Sequence, residues 1–233
     1  MLTEPDGFAA LDALWRGATG AEGLFHAEVE AAKREVLTDE LAAELRRLVD
    51  LAQAAAEAEG YLAGPEMLRE ALTELLVAFP RYRSYIAGAA GDADAALWRE
   101  TAGRAAQNVR SGEVIDWVAE TMLAGESPAA RHLATRVQQV TGALLAKAHE
   151  DTAAFRFNRY LAANEVGADP DRPTVPPDEA QADLAERLAR WPRALTAGTS
   201  HDTKRSEDAR ARLIALTHAP EAAAALWHDA AAL

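Results

Sequence analysis

The residues best suited to chemistry are concentrated at positions 199–208, which read Thr-Ser-His-Asp-Thr-Lys-Arg-Ser-Glu-Asp. They supply an imidazole at His201, a carboxylate at Asp202 and an ammonium at Lys204. A fixed carboxylate can stabilise positive charge that develops in a transition state. Runs of charge more often face solvent, however, so the pattern alone favours a solvated loop that ends at a helix N-cap, Ser206.

A second group of charged, amide and aromatic side chains lies between residues 147 and 165. Its candidate ligand-binding members are Lys147, Glu150, Asp151, Arg156, Phe157, Asn164 and Glu165. For the aromatic residues here, which include Phe155, Phe157 and Tyr160, simple core packing is an equally good interpretation.

Several other kinds of site are excluded by the pattern. Adjacent Ser200, His201 and Asp202 cannot form a hydrolytic triad, because consecutive side chains do not line up as a relay. The six histidines show no paired metal-ligand spacing, there is no glycine-rich phosphate loop, and there is no cysteine. We therefore predict neither a metal nor a cofactor.

Two short apolar runs precede these charged groups. Residues 140–146 come before His149, and residues 194–198 come before Ser200. Each run has the length of a buried strand, and active sites of β/α barrels lie where such strands end. The pattern predicts two consecutive barrel strands in a late segment, residues 136–233.

The remainder of the chain has helical periodicity. We expect an all-helical subdomain at residues 1–135, with helices near 8–16, 26–60, 65–78, 92–110, 112–123 and 128–139. The stretch 26–60 is either one helix or two, broken near 37–39 with Thr38 as the second cap. Later helices are expected at 178–191, 209–217 and 220–233, so the fold class is mainly α.

Composition limits the partners. The chain has 233 residues, 49% of them hydrophobic, and a net charge of −13. This negative field disfavours nucleic acids and anionic membrane surfaces, since it repels phosphates. No segment has the roughly 20 apolar residues needed to span a bilayer, and no signal sequence is evident. These features predict a cytoplasmic protein with a neutral ligand.

Residues 200–208 resemble a motif of the malto-oligosyltrehalose synthase family, within the α-amylase superfamily of glycoside hydrolases. Four further blocks resemble that family in the same order. They are Ala-Ala-Lys-Arg-Glu-Val at 31–36, Phe-Pro-Arg-Tyr-Arg at 79–83, Ala-Lys at 146–147 with Glu-Asp-Thr-Ala at 150–153, and Asn-Glu-Val-Gly at 164–167. The resemblance covers nearly the whole chain.

The resemblance implies a helical insertion (residues 1–135) followed by a late portion of a (β/α)8 barrel (residues 136–233). It implies a maltodextrin substrate whose reducing-end α-1,4 link becomes an α,α-1,1 link by intramolecular transglycosylation. Asp202 is similar to the superfamily's third carboxylate, which grips sugar hydroxyls, and His201 and Lys204 to its substrate-binding neighbours. The group at 147–165 is similar to the wall that positions the terminal glucose.

The chain departs from the family pattern in two respects. Where that pattern reads Phe-Tyr-Arg-Tyr, this chain has Ala154, Phe155, Arg156 and Phe157, so one ring and the phenolic hydroxyls are missing. The family's nucleophile and general acid also have no counterpart motif here. We therefore expect a fragment that needs the remainder of a parent polypeptide and is inactive by itself. The alternative is a non-enzymatic helical module that binds a protein or a glycan through its acidic surface.

Overall fold

A computed structural model describes residues 2–233, and within that range it contains helices and no strand. The helices are α1 (Pro5–Thr19), α2 (Phe25–Thr38), α3 (Ala42–Glu59), α4 (Pro65–Ala78), α5 (Asp92–Ala105), α6 (Gly112–Ala124), α7 (Pro128–Leu145), a π-helical segment (Ala146–Ala153), α8 (Ala154–Arg156), α9 (Pro177–Arg190), α10 (Glu207–Ala215) and α11 (Pro220–Ala231). The mainly helical fold class is confirmed. The expectation of an all-helical region before residue 136 also holds for residues 2–135.

The chain divides into two compact units. The central unit comprises residues 29–153, and the terminal unit comprises residues 2–28 together with 154–233. These limits differ from the division near residue 135 expected from the sequence. The assignment of residues 1–135 to an insertion and of 136–233 to a barrel stays a prediction.

In the central unit, α3 packs against α4 and α7, α4 packs against α5 and α6, and α6 packs against α7. Helix α4 begins at Pro65, where proline fits a first turn, and ends before the Phe79-Pro80 pair that cannot continue it. The core contains Trp98 and Phe79, whose rings stack with centroids 4.3 Å apart. The apolar faces of these helices therefore pack together to form the core of the central unit.

The predicted strand at residues 140–146 is wrong. Those residues form the last turns of α7 and the first residue of the π-helical segment. The buried side chains Leu133, Val137, Val140 and Leu144 recur at helical spacing, so the apolar run continues one face of a longer helix. A short apolar run cannot by itself distinguish the two structures.

In the terminal unit, α1 packs against α11 and against the 3₁₀ turn Leu216–His218. Gly7 permits this approach, because a Cβ atom there would lie 1.7 Å from the carbonyl oxygen of Thr217. The backbone N–H of Glu4 donates to the Thr217 hydroxyl at 3.0 Å. The N-terminal and C-terminal segments of this unit therefore contact each other directly, at Glu4, Gly7 and Thr217.

The strand predicted within residues 194–199, which contain the apolar run 194–198, is also wrong. These residues form an exposed, irregular segment after α9, so their apolar side chains have no sheet to enter.

Thr38 does not cap α3, although the sequence predicted that it would. It is the last residue of α2, and its hydroxyl donates to the carbonyl groups of Arg34 and Glu35. The break between α2 and α3 near residues 37–39 is confirmed.

Among residues 2–233, no helix is both long enough and apolar enough to cross a bilayer.

Candidate functional site

The loop at residues 199–206 carries three of the predicted site residues in the terminal unit. Thr203 shapes it, because its hydroxyl donates to the carbonyl oxygen of Ser200 at 2.7 Å. His201 Nε2 lies 3.4 Å from an Asp202 carboxylate oxygen, and the Asp202 side chain is 62% exposed. Ser206 precedes α10, as predicted. The loop therefore presents the imidazole and the carboxylate to solvent.

Glu165 anchors this loop. Its carboxylate accepts the backbone N–H of Lys204 at 2.6 Å and that of Arg205 at 3.1 Å. The Arg205 guanidinium extends the attachment, because it donates to the carbonyl groups of Leu161 and Asn164 at 3.3 and 3.4 Å. Glu165 and Lys204, predicted separately from the sequence, are thus brought together.

These contacts set the charge state of Glu165. Burial by itself raises the pKa of its carboxyl group, and three backbone N–H donors, those of Lys204, Val166 and Arg205, lower it together with the charge of Arg210. The pKa lies below its ordinary value as a result. Glu165 is therefore ionised at neutral pH, where it acts as an anchor for the loop.

Lys204 also contacts an aromatic ring. Its Nζ lies 4.9 Å from the centroid of the Phe155 ring, within the range of a cation–π interaction. Phe155 is 66% exposed. An exposed aromatic ring beside an ammonium is a surface that suits a sugar ring, although Phe155 was not among the residues predicted to bind substrate.

Phe157 has a different environment. It is only 8% exposed, and its ring contacts those of Trp15 and Phe25 with centroids 5.7 and 5.4 Å apart. Asn164 is buried, and its side-chain amide donates to the carbonyl groups of Ala154 and Phe157. The core-packing interpretation therefore describes the surroundings of Phe157, and Asn164 fixes the backbone beside it.

Arg156 lies between Phe155 and Phe157 in the sequence. Its Nη1 atom is 3.8 Å from a carboxylate oxygen of Glu28. A cavity of about 330 Å³ in the terminal unit is lined by both of these charged residues and by Trp15, Leu24 and Phe157. Arg156 thus lines a partly apolar cavity.

The other three predicted residues, Lys147, Glu150 and Asp151, lie in the π-helical segment of the central unit. Lys147 Nζ lies 3.2 Å from an Asp151 carboxylate oxygen. The hydroxyl of Tyr82 donates a hydrogen bond to Glu150. Such wide helical turns frequently occur at functional sites.

Sequence reasoning assigned no site role to Phe155 or Tyr82, although each contacts a predicted site residue. The departure from the family pattern at Phe155 was a signal for the first. For Tyr82 the only signal was the block at 79–83, which did not indicate any contact. Within residues 2–233, no cluster of three or more metal-ligating side chains is present.

Comparison with known proteins places these features in context. No family model matches the sequence. A Mycobacterium tuberculosis protein named as a maltooligosyl trehalose synthase is 36% identical over 224 residues, which is 94% of this chain and 27% of that protein.

Solved structures of a maltooligosyltrehalose synthase are also similar to this chain. The structure of maltooligosyltrehalose synthase from Arthrobacter ramosus matches with a TM-score of 0.81 and 30% identity, covering 100% of this chain and 28% of that one. A mutant of that enzyme matches with a TM-score of 0.79 and 32% identity over 94% of this chain. The resemblance is confirmed: over nearly its whole length, the chain is similar to a segment that makes up about a quarter of the maltooligosyltrehalose synthases.

Proposed function

We propose that this chain acts as part of a maltooligosyltrehalose synthase. That enzyme would move the reducing-end glucose of a maltodextrin from an α-1,4 to an α,α-1,1 link within one molecule. The observation that carries the proposal is the similarity over 94% of the chain to a relative of that name, together with the matching structure from Arthrobacter ramosus.

In this proposal the covalent chemistry needs a carboxylate nucleophile and a general acid, which retaining enzymes of this type hold about 5 Å apart. Both would come from the remainder of the polypeptide. Asp202 would supply the third carboxylate, which grips ring hydroxyls and favours the positively charged transition state. His201 and Lys204 would bind the same sugar, and Glu165 would hold the loop that carries them.

Lys147, Glu150 and Asp151 of the central unit would form the wall of the acceptor side. Arg156 of the terminal unit would bind maltodextrin as well, whereas the buried Phe157 and Asn164 would support the backbone beside it. The released glucose must turn and attack the covalent intermediate through its own anomeric hydroxyl. Water that reached the intermediate first would give hydrolysis, so this wall must hold the glucose and exclude water. The exposed Phe155 ring suits contact with that sugar.

The surface of α9 supports the association with further polypeptide. None of its residues is buried, and its apolar side chains Leu184 and Leu188 continue to Trp191 at spacings of one helical face. Exposed apolar side chains grouped on one helical face are typical of a surface that contacts another chain segment. The remainder of the synthase would cover this face.

The test compares this chain with the full-length synthase, meaning the polypeptide that carries both this chain and the remainder seen in its relatives. Each would be incubated with maltopentaose while the loss of reducing ends is followed. We expect loss with the full-length synthase and none with residues 1–233 alone. Reducing-end loss proportional to the amount of the isolated chain would contradict the division of labour, and an inactive full-length protein would favour the non-enzymatic alternative.

A further inference from the structure

We propose that Tyr82 is a positioning residue for sugar transfer: its hydroxyl fixes the Glu150 carboxylate against the acceptor glucose. The inference rests on the proposed function and adds to it a residue that was not predicted to take part. It concerns the central unit alone, since both residues belong to it.

The central contact joins two segments that are distant in sequence. The Tyr82 hydroxyl donates to Oε1 of Glu150, 68 residues further along the chain. A hydrogen bond to an ionised carboxylate is stronger than one between neutral groups. The Tyr82 side chain remains 47% exposed, so filling the core does not explain its presence.

The segment before Tyr82 is held rigidly. Phe79 is buried and stacks on Trp98. The buried ammonium of Lys33 donates to the carbonyl groups of Val77 and Phe79 at 2.9 and 2.7 Å. These contacts fix the backbone at the end of α4, and the direction in which the chain leaves it.

The segment after Tyr82 is held equally well. The Trp98 indole N–H donates to the Ser84 hydroxyl at 3.0 Å. The side-chain amide of Gln138 binds both the N–H and the carbonyl of Ile86, at 2.7 and 3.1 Å. Tyr82 therefore projects from a short irregular segment that is fixed on both sides, which is the support that a precisely placed hydroxyl requires.

The second partner, Glu150, belongs to a helical segment with wide turns. It lies in the π-helical segment, where the Thr152 hydroxyl donates to the carbonyl group of Lys147. The neighbouring Lys147 and Asp151 are paired with one another across one turn. The Tyr82 hydroxyl thus holds the carboxylate that lies between these two members of the predicted acceptor wall.

The chain provides a matched control in Tyr85. This residue belongs to the same irregular segment, is 80% exposed, and has its ring beside the Arg83 guanidinium at 5.3 Å. Tyr85→Phe removes the same atom as Tyr82→Phe, from the same kind of residue. A general effect of losing a phenolic hydroxyl would appear in both variants.

A fixed carboxylate accepts a hydrogen bond from a hydroxyl of the released glucose and holds the sugar while it turns. Without the Tyr82 hydroxyl the Glu150 carboxylate is positioned less precisely, so the sugar escapes more often and water takes its place. The quantity that reports this is the ratio of hydrolysis to transfer, since a purely structural role would lower both products equally.

The experiment uses the full-length synthase with maltopentaose and measures released glucose against non-reducing product. We expect Tyr82→Phe to raise the hydrolysis-to-transfer ratio about tenfold, with the melting temperature retained, the size expected from losing one hydrogen bond to a charged group. Glu150→Ala should raise the ratio as well, and the double variant should add little to Glu150→Ala, because either change alone abolishes the hydrogen bond between the two side chains. Tyr85→Phe should leave the ratio unchanged.

The outcomes separate this inference from the proposed function. A wild-type synthase that forms no non-reducing product overturns both. An active wild-type enzyme with an unchanged ratio in Tyr82→Phe overturns the inference alone, as does an additive double variant or an equal rise in Tyr85→Phe. If Tyr82→Phe lowers the melting temperature and both products in parallel, Tyr82 is structural and the inference is wrong.

Discussion

The carboxylate of Glu165 accepts the backbone N–H of Lys204 at 2.6 Å, across 39 residues of sequence. The same carboxylate accepts the N–H of Arg205. Two backbone donors on one ionised acceptor form charge-assisted hydrogen bonds, which are stronger than ordinary ones. The Glu165 side chain, which lies outside the loop, therefore helps to fix the position of the loop that carries His201 and Asp202.

Glu165→Gln should loosen the loop without unfolding the chain. The amide keeps one acceptor oxygen, but its NH₂ group faces a backbone donor and the charge is lost. Removing a hydrogen bond to a charged group costs about 1.5 to 3 kcal/mol, so the amides of Lys204 and Arg205 should exchange roughly 10- to 100-fold faster. Hydrogen exchange followed by NMR measures this directly.

The matched control is Glu179→Gln, which removes an exposed carboxylate paired with Arg172. Exposed ion pairs contribute little, so this variant should exchange like the wild type. Unchanged protection of Lys204 and Arg205 in Glu165→Gln would show that the carboxylate is not the anchor.

The two phenylalanines that flank Arg156 should respond differently to truncation. Phe157→Ala removes a buried ring that contacts Trp15 and Phe25, and should lower the free energy of unfolding by about 3 to 5 kcal/mol. Phe155→Ala removes an exposed ring whose described contact is with the Lys204 ammonium, and should cost less than about 1 kcal/mol. Urea denaturation of both variants tests the contrast, and equal losses would contradict the assignment of core and surface.

The sequence predicted most of the fold because its helices are defined by local signals. Pro65 at the start of α4 and Pro80 beyond its end fixed that helix, and Ser127 before Pro128 fixed the start of α7. Such caps act within a few residues, so one sequence is enough to find them. The predictions failed where the type of structure depended on what lay opposite, as in residues 140–146, whose apolar side chains suit a buried helix or a buried strand equally.

The site was predictable in its residue types and not in its contacts. The charged loop and the 147–165 group were found from composition and resemblance, yet the bond between Tyr82 and Glu150 spans 68 residues. Pairings across that distance depend on the packing of α3 to α7, which no local pattern encodes. The burial of Phe157 and the exposure of Phe155 are likewise consequences of tertiary packing.

Buried Lys33 should make stability depend on pH in the alkaline range. Burial lowers the pKa of its ammonium from 10.5 to about 8, with Glu30 raising it and Arg104 lowering it by smaller amounts. Between pH 8 and 10.5 the unfolded chain binds a proton that the folded chain does not, so this residue makes the free energy of unfolding rise with pH.

The test compares wild type with Lys33→Met by denaturant unfolding across that window. At the alkaline end of the window the variant should be the less stable protein, because two carbonyl groups lose their donor. The wild type should gain up to about 1.4 kcal/mol per pH unit relative to the variant. Parallel curves for the two proteins would mean that Lys33 keeps an ordinary pKa in the fold.

Asp202 provides the strongest test of the catalytic assignment, because its surroundings alone predict no effect of mutation. Its side chain is 62% exposed, and its contact with His201 at 3.4 Å is an exposed pair of the kind that contributes little to stability. Asp202→Asn should therefore change the free energy of unfolding by less than about 0.5 kcal/mol. If Asp202 is the carboxylate that stabilises the transition state, the same change in the full-length synthase should lower turnover on maltopentaose roughly 100- to 1,000-fold, which corresponds to about 3 to 4 kcal/mol. Asp208→Asn, in the first turn of α10, removes a similarly exposed carboxylate and should leave turnover unchanged. A stable Asp202→Asn synthase with wild-type turnover would remove this residue from the active site and leave the loop as a solvated connection between helices.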